Sequence, residues 1–339
     1  MEILGINIWA ALGFLLAAYA VVGNDALQTL GTFINSNQKL PWWALFLFAG
    51  AILVVVFAFG YIQFDGDPSW GRLSDSKKYP IFEVRWYHVV PALALLLITA
   101  FGIPVSTTFM ILTIFATLHG LQSMLVKSLT AYGFAFVLGL AVYVVLAPTV
   151  EKYFLKHPER AQKPFWIMLQ WLTTAYLWAA WLIQDFANIY IYLPRRLEIS
   201  GAIASIFVIL ALLLITFVIR GGPIQKILRS KTHVTDIRSA TIIDFSYASI
   251  LSVFAWINNT PMSTTWAFLG LIAGREIAMA NIHKVRPAID TFKNILADVS
   301  KAAFGLLISV VLAVGLPRLA KALASGEGFA SISTLLGLG

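Results

Sequence analysis

Eight apolar runs, most of them close to the roughly 20 residues that carry an α-helix across a bilayer, constrain this chain more than any other feature. They are Ile6–Val22, Trp42–Ile62, Val89–Leu118, Ala131–Val150, Pro164–Ile183, Ile199–Ile219, Ala248–Met279 and Ala303–Leu316. Composition agrees: 59% of the 339 residues are hydrophobic and 12% charged, whereas soluble domains average about 25% charged residues. Together with the absence of cysteine, this excludes a soluble enzyme, a disordered tail, a disulfide scaffold and a zinc–cysteine protein. The net charge of +8 points to basic cytoplasmic loops rather than to nucleic acid. The chain reads as an all-α integral membrane protein.

The first run has the length of a signal peptide, but it follows Glu2 instead of a basic segment and leads straight into Gly23-Asn24-Asp25. We read it as a retained helix. Val89–Leu118 and Ala248–Met279 are each about 30 residues long, with a proline and small hydroxyl residues in the middle. That is too short for two crossings and too interrupted for one. A re-entrant helical hairpin fits, because irregular backbone at membrane depth must be buried in protein or line a cavity.

The two interrupted runs expose an internal repeat. Gly102-Ile103-Pro104-Val105-Ser106-Thr107-Thr108 recurs 157 residues later as Asn259-Thr260-Pro261-Met262-Ser263-Thr264-Thr265. Upstream, Asn24-Asp25-Ala26-Leu27-Gln28 is echoed 160 residues later by Gln184-Asp185-Phe186-Ala187-Asn188. Downstream, Ala131-Tyr132-Gly133-Phe134 is matched by Ala302-Ala303-Phe304-Gly305. The chain therefore divides into a first membrane repeat, 1–150, and a second, 151–339. With about three crossings and one re-entrant hairpin in each, the odd number inverts the second repeat relative to the first.

Charge supports that inversion. Asn35–Pro41, Glu151–Lys163, Arg220–Ser239 and Asn281–Lys301 fall on one side and hold 14 Lys and Arg. Tyr61–His88, His119–Ser128, Pro194–Glu198 and the C-terminal tail fall on the other and hold 9. The positive-inside rule makes the first set cytoplasmic and places both termini outside.

Asp25 and Asp185 stand in or at the ends of apolar stretches, at equivalent places of the two repeats. Ionisable groups in hydrocarbon cost several kcal/mol and usually line a pathway or bind an ion. Oxygens of Asn24, Asp25 and Gln28, and of Gln184, Asp185 and Asn188, suit two small hard-cation sites and no transition metal. The Pro-x-Ser-Thr-Thr segments suit the opposite charge. A half-helix starting there points free N–H groups and hydroxyls inward. Two inverted copies bring Ser106, Thr107, Thr108, Ser263, Thr264 and Thr265 to bear on a tetrahedral oxyanion.

These motifs resemble the inorganic phosphate transporter (PiT) family. Val22–Thr32 is similar to its Gly-Ala-Asn-Asp-Val-Ala-Asn signature and the Gly-Thr that follows, Gly102–Thr108 to its Pro-Val-Ser-Thr-Thr-His hairpin motif, and Asn259–Thr265 to a looser copy. The resemblance implies cation-coupled uptake of phosphate, usually with sodium and in some members with protons. It also implies that the Asn-Asp motifs hold cation and the hairpins hold anion. The departures are Phe109 and Trp266 in place of the family histidine, Gln184 in place of Asn, Ile191-Tyr192 in place of Gly-Thr, and Asn259-Thr260 before the second proline. Another oxyanion such as sulfate is the alternative cargo.

The expected function is thus a sodium- or proton-driven symporter with alternating access around a midplane site. It is not an enzyme and carries no cofactor beyond sodium as coupling ion. Its partners are the oxyanion, the coupling cation and the bilayer of a cell (plasma or inner) membrane, with room for a homo-oligomer and none for nucleic acid. A passive anion channel shares every anion-site argument. An intramembrane aspartyl protease uses two membrane aspartates but lacks the Tyr-Asp and Gly-x-Gly-Asp motifs. The five histidines, Arg275-Glu276, the basic run Arg220–Arg238 and aromatic groups such as Trp42-Trp43 and Tyr190–Tyr192 read as interface, loop or belt residues.

Overall fold

The computed structural model describes residues 2–3, 6–37, 39–100, 105–157, 163–219, 236–283 and 287–324; the side chains of residues 24–28 are outside the described set. A two-residue antiparallel pairing of β1 (Glu2–Ile3) with β2 (Ile6–Asn7) precedes the helices. Asn7 then starts α1 (Ile8–Ala20) by accepting from the Trp9 amide at 2.9 Å. A π-helical turn at Val21–Asp25 joins α1 to α2 (Ala26–Ser36). The Gly-Asn-Asp segment therefore interrupts the helical register without ending the helix, the kind of local widening that π-turns place at functional sites.

The chain continues through α3 (Trp42–Gln63), α4 (Trp86–Ala100), α5 (Thr107–Leu112), α6 (Leu118–Leu146), a π-turn at Ala147–Glu151 and α7 (Lys152–Lys156). The second stretch holds α8 (Pro164–Tyr190), α9 (Ile199–Val218), α10 (Ile237–Ile257), α11 (Thr264–His283) and α12 (Ala288–Ala324). Among the described residues, helices at α3, α6, α8, α9, α10 and α12 are long and apolar enough to cross a membrane, and α1 and α4 are shorter apolar helices. The protein is a multi-pass membrane protein. The order of elements recurs: α1–α2, α3, α4–α5, α6, and then α8, α9, α10–α11, α12.

Three expectations change. His119–Ser128 is not a loop but the start of α6, and much of Asn281–Lys301 belongs to α11 and α12. Lys127 and Ser128, which made the first segment look like a loop, find partners inside the protein, whereas Asp290, Lys293, Asn294 and Lys301 lie on the exposed face of α12. The second hairpin is longer than its apolar run, because α10 begins at Ile237; Thr241, Asp244 and Ser246 break the hydropathy there and are nevertheless buried. Residues 101–104 and 220–235, with most of the basic loop, and the tail beyond 324 lie outside the described residues.

Packing interlocks the two halves. The α4 leg of the first hairpin lies against α1 and the α10 leg of the second against α8, while α11 lies along α6 and α12 touches α4 and α5. Each hairpin thus leans on the last helix of the other half. The α6–α11 contact is close because it lacks side chains: a Cβ on Gly270 or Gly274 would run into the carbonyl oxygens of Tyr132 and Phe136. Small residues four apart let membrane helices approach to backbone contact, where there is little hydrophobic driving force to bring them together. On α3 and α9, Ala49, Leu53, Ile209 and Leu213 are buried while Val55, Phe59, Ile203 and Phe207 stay exposed to the lipid side.

Several groups expected at the interface are internal. Tyr190 and Tyr192 are buried, with hydroxyls at Ser205 Oγ (3.1 Å) and donating to the His88 carbonyl (3.0 Å). His88 itself is buried, its Nδ1 accepting from the Arg85 amide. Arg238 is fully buried, paired with Asp236 at 2.6 Å and set over the Phe154 ring, so it is an anchor for the start of α10 and not a solvated topology signal. Arg275 lies over the Tyr143 ring. In each case a partner within the helix bundle offsets burial.

Candidate functional site

The starts of α5 and α11 meet at the C-terminal half of α8. That helix runs unbroken through Gln184-Asp185-Phe186-Ala187-Asn188, since no proline or glycine interrupts it, and one turn of helix puts Gln184 and Asn188 on a common face. Asp185 is 1% exposed, and Gln184 and Asn188 are fully buried. From the first hairpin come Ser106, Thr107 and Thr108, and from the second Ser263, Thr264 and Thr265, none more than 3% exposed. Bulk water and lipid are both excluded.

Asp185 is the hub. Its Oδ1 accepts from Asn188 Nδ2 at 2.6 Å and its Oδ2 from Thr264 Oγ1 at 3.0 Å. Asn188 Nδ2 also donates to Thr108 Oγ1 at 3.2 Å, and Thr108 donates to the Met262 carbonyl at 3.1 Å. A continuous set of hydrogen bonds therefore runs from the first hairpin through α8 to the second. The Tyr247 hydroxyl fixes the Thr264 carbonyl at 2.9 Å, and Ser128 accepts from the Ser263 amide at 2.9 Å.

The hydroxyls are not equivalent. Ser106 accepts from the Phe109 amide at 3.3 Å and Ser263 from the Trp266 amide at 3.1 Å, the N-cap role that serine at a helix start performs. Each keeps its own O–H proton to donate. The half-helices differ as well: α11 has 20 residues, whereas α5 has six and ends in a turn before α6. The two residues that stand where the resembled family has histidine, Phe109 and Trp266, meet each other edge to face at 5.7 Å between ring centroids. An apolar contact between the hairpins occupies both positions.

Two acceptors at the hub lack donors. Gln184 Oε1 and Asn188 Oδ1 are buried without hydrogen-bond partners, although the Gln184 amide nitrogen donates to the Leu251 carbonyl at 2.9 Å. Buried acceptors in this state are rare, and amide and carboxylate oxygens are the types of ligand that a hard cation takes. Among the described residues no cluster of three or more His, Cys, Asp or Glu exists. The side chains of Asn24, Asp25 and Gln28 lie outside the described residues; their backbone forms the π-turn and the start of α2.

Sequence reading missed four neighbours. Arg72, from the segment after α3, is buried and donates through Nε to the Ile183 carbonyl at 2.6 Å. Burial lowers its guanidinium to about 10, against the opposing pull of the Asp185 carboxylate. Lys127 donates to the carbonyls of Asn258 (2.8 Å) and Thr260 (2.7 Å), and Lys78 to Thr260 Oγ1 (2.8 Å). Deeper along α10, Asp244 accepts from Thr174 at 3.1 Å. Asp244 had a signal, a lone acid within an otherwise apolar α10 stretch. The three cations had none, because only tertiary folding brings them to the hairpin.

No protein-family model and no curated protein matches the chain. Among solved structures, one described as "The sodium-dependent phosphate transporter" matches with a TM-score of 0.55 at 15% identity, over 92% of this chain and 98% of that one. At that identity the likeness concerns the fold, and this chain shares that structure's all-α membrane fold.

Proposed function

We propose that the protein is a secondary active symporter that moves an inorganic oxyanion, phosphate first among them and sulfate second, with sodium as the coupling ion. The observation that carries this reading is the hub: one buried carboxylate holds a hydroxyl of the second hairpin directly and one of the first through Asn188. The matching structure's description, a sodium-dependent phosphate transporter, points the same way. A cell membrane, plasma or inner, is the natural location for such uptake.

The geometry suggests how the two ions are coupled. A sodium ion at Asp185 would draw on Gln184 Oε1 and Asn188 Oδ1, the two acceptors without donors. It would compete with Thr264 and Asn188 for the carboxylate oxygens. The Thr264 hydroxyl has one proton and donates it to Asp185 in the present arrangement. Once released, that donor is free for an oxyanion oxygen, together with the Thr108 hydroxyl when it leaves Met262. Cation binding thus prepares the anion site, and each ion offsets the charge of the other in a low-dielectric interior. The inverted repeats, 1–150 and 151–339, would supply the two rocking elements around this site.

Linkage tests the reading. Sodium should raise the phosphate affinity of the purified protein, and phosphate should raise sodium affinity by the same factor, typically about 5- to 150-fold. Phosphate binding indifferent to sodium and to pH would overturn the coupling and leave a passive anion channel. Among the described residues, the groups that hold Asp185 are the Asn188 amide and the Thr264 hydroxyl, which lend the aspartyl protease reading no support.

A further inference from the structure

Three cations surround the tip of the second hairpin, and the coupling scheme above uses none of them. The segment between α3 and α4 folds down onto that tip. It is pinned by the Tyr61 hydroxyl donating to the Leu197 carbonyl (2.9 Å), by the Leu197 amide donating to the Gly66 carbonyl (2.9 Å) and by the Asp67–Ser69 turn. Trp70 and Gly71 are both left-handed, at φ 60° and 66°, a conformation that is costly for a bulky side chain such as Trp70. This reversal carries Gly71 against the Asn259 side chain and turns the next residue, Arg72, inward to Ile183.

Arg72 is 3% exposed, and its Nη1 is buried without a hydrogen-bond partner. A buried guanidinium with an unused donor is costly unless something anionic completes it. Lys127, also buried, spends two of its three N–H donors on neutral carbonyls, so its charge is unmatched among its bonded partners. Lys78 spends one on Thr260, with Asp75 at 3.7 Å. Both lysines line a cavity of about 470 Å³ together with His119, Ser123, Thr130 and Thr260, on the side of the membrane that the charge count makes the outer one. Hydroxyl and ammonium donors around a cavity of this size suit a tetrahedral oxyanion.

We propose that Lys78, Lys127 and Arg72 form an oxyanion antechamber, in which the cavity over the second hairpin captures the anion at the two lysines and Arg72 receives it behind, beside Asp185. The inference rests on the oxyanion reading above and deepens it by naming the groups that recruit the cargo. An ammonium pair attracts the anion at range, and a planar guanidinium then fixes its orientation through parallel donors.

The test is equilibrium binding of inorganic phosphate and of sulfate to the purified full chain in phosphatidylcholine nanodiscs, at low and raised ionic strength. Wild-type affinity should fall with salt. Lys78→Gln should weaken binding about tenfold, the loss of one charge-assisted hydrogen bond, and flatten the salt dependence, while Lys78→Arg restores both. Arg72→Gln should weaken binding more than Arg72→Lys. Thermal unfolding of each variant reports whether the fold is intact, and Lys78, at the cavity rim, decides the matter if Arg72→Gln fails to fold. Wild-type binding that neither Lys78→Gln nor Arg72→Gln changes would overturn the antechamber and leave the transport reading standing. A wild type that binds neither oxyanion would overturn both. Repeating the measurement with phosphatidylglycerol in the disc separates the free ion from a lipid headgroup. Phosphate binding that collapses there, and is rescued by Lys78→Gln, would make the cavity a lipid seat and overturn the proposal.

Discussion

A threonine hydroxyl has one proton to give, and Thr264 gives its proton to Asp185 across 3.0 Å. That limit turns a hydrogen bond into a switch, because the same donor cannot serve the carboxylate and an anion together. Thr264→Val, which keeps the shape and removes the donor, should weaken oxyanion affinity by about tenfold, the value of one hydrogen bond to a charged group. It should also remove the dependence of that affinity on sodium. Thr264→Ser should retain both, and isothermal titration with and without sodium reads the difference. Thr108→Val should act in the same direction, since Thr108 both receives Asn188 and donates to Met262. At this scale the sequence was informative where chemistry repeats. The second Asp motif and the Ser-Thr-Thr motifs named Asp185, Asn188, Thr108 and Thr264, which are hydrogen-bonded across three elements, while the side chains of Asn24, Asp25 and Gln28 lie outside the described residues. The sequence was silent on Arg72 and Lys127, whose roles depend on a loop reversal at Trp70 and Gly71 and on a contact between α6 and the second hairpin.

At the scale of elements, the hairpins are held by backbone proximity and shared rings. Gly274 allows α11 to press on α6 at the Phe136 carbonyl, so Gly274→Leu should force the helices apart and cost about 1–3 kcal/mol or more, as overpacking does. A lowered thermal midpoint in detergent checks this, and Gly315→Leu, where nothing lies within 4 Å of an added Cβ, is the control. The Phe109–Trp266 contact predicts a second effect. Trp266→Ala removes one ring of the edge-to-face pair and should destabilise the protein by about 3–5 kcal/mol, the usual cost of emptying a large aromatic from a core. Adding Phe109→His should not rescue the loss, because Met110, Ile111 and Leu112 keep the surroundings of α5 apolar. Helix boundaries were the least legible part of these elements. Hydropathy placed the start of α6 at Ala131, yet the helix begins at Leu118, because Lys127 and Ser128 are satisfied by the second hairpin and need no water.

For the whole molecule, two halves with the same order of helices exchange support, so that each hairpin rests on the last helix of the other half. In the proposed transport, one pair of elements would move against the other, as alternating access requires. The sequence reading of two repeats rests on motifs that recur at nearly constant offsets of 157 and 160 residues, and the order of helices recurs in the same way. The way the halves interlock was not legible in the sequence, since the α6–α11 and α12–α5 contacts join segments more than a hundred residues apart. The central claim is that a sodium gradient drives oxyanion uptake through Asp185. Its most direct measurement is radiolabelled phosphate uptake into proteoliposomes under an imposed inward sodium gradient, for wild type and Asp185→Asn. The account predicts accumulation above equilibrium in the wild type, collapse of that accumulation when the gradient is dissipated, and none in Asp185→Asn. Accumulation that persists without sodium or a proton gradient, or that Asp185→Asn leaves intact, would contradict it.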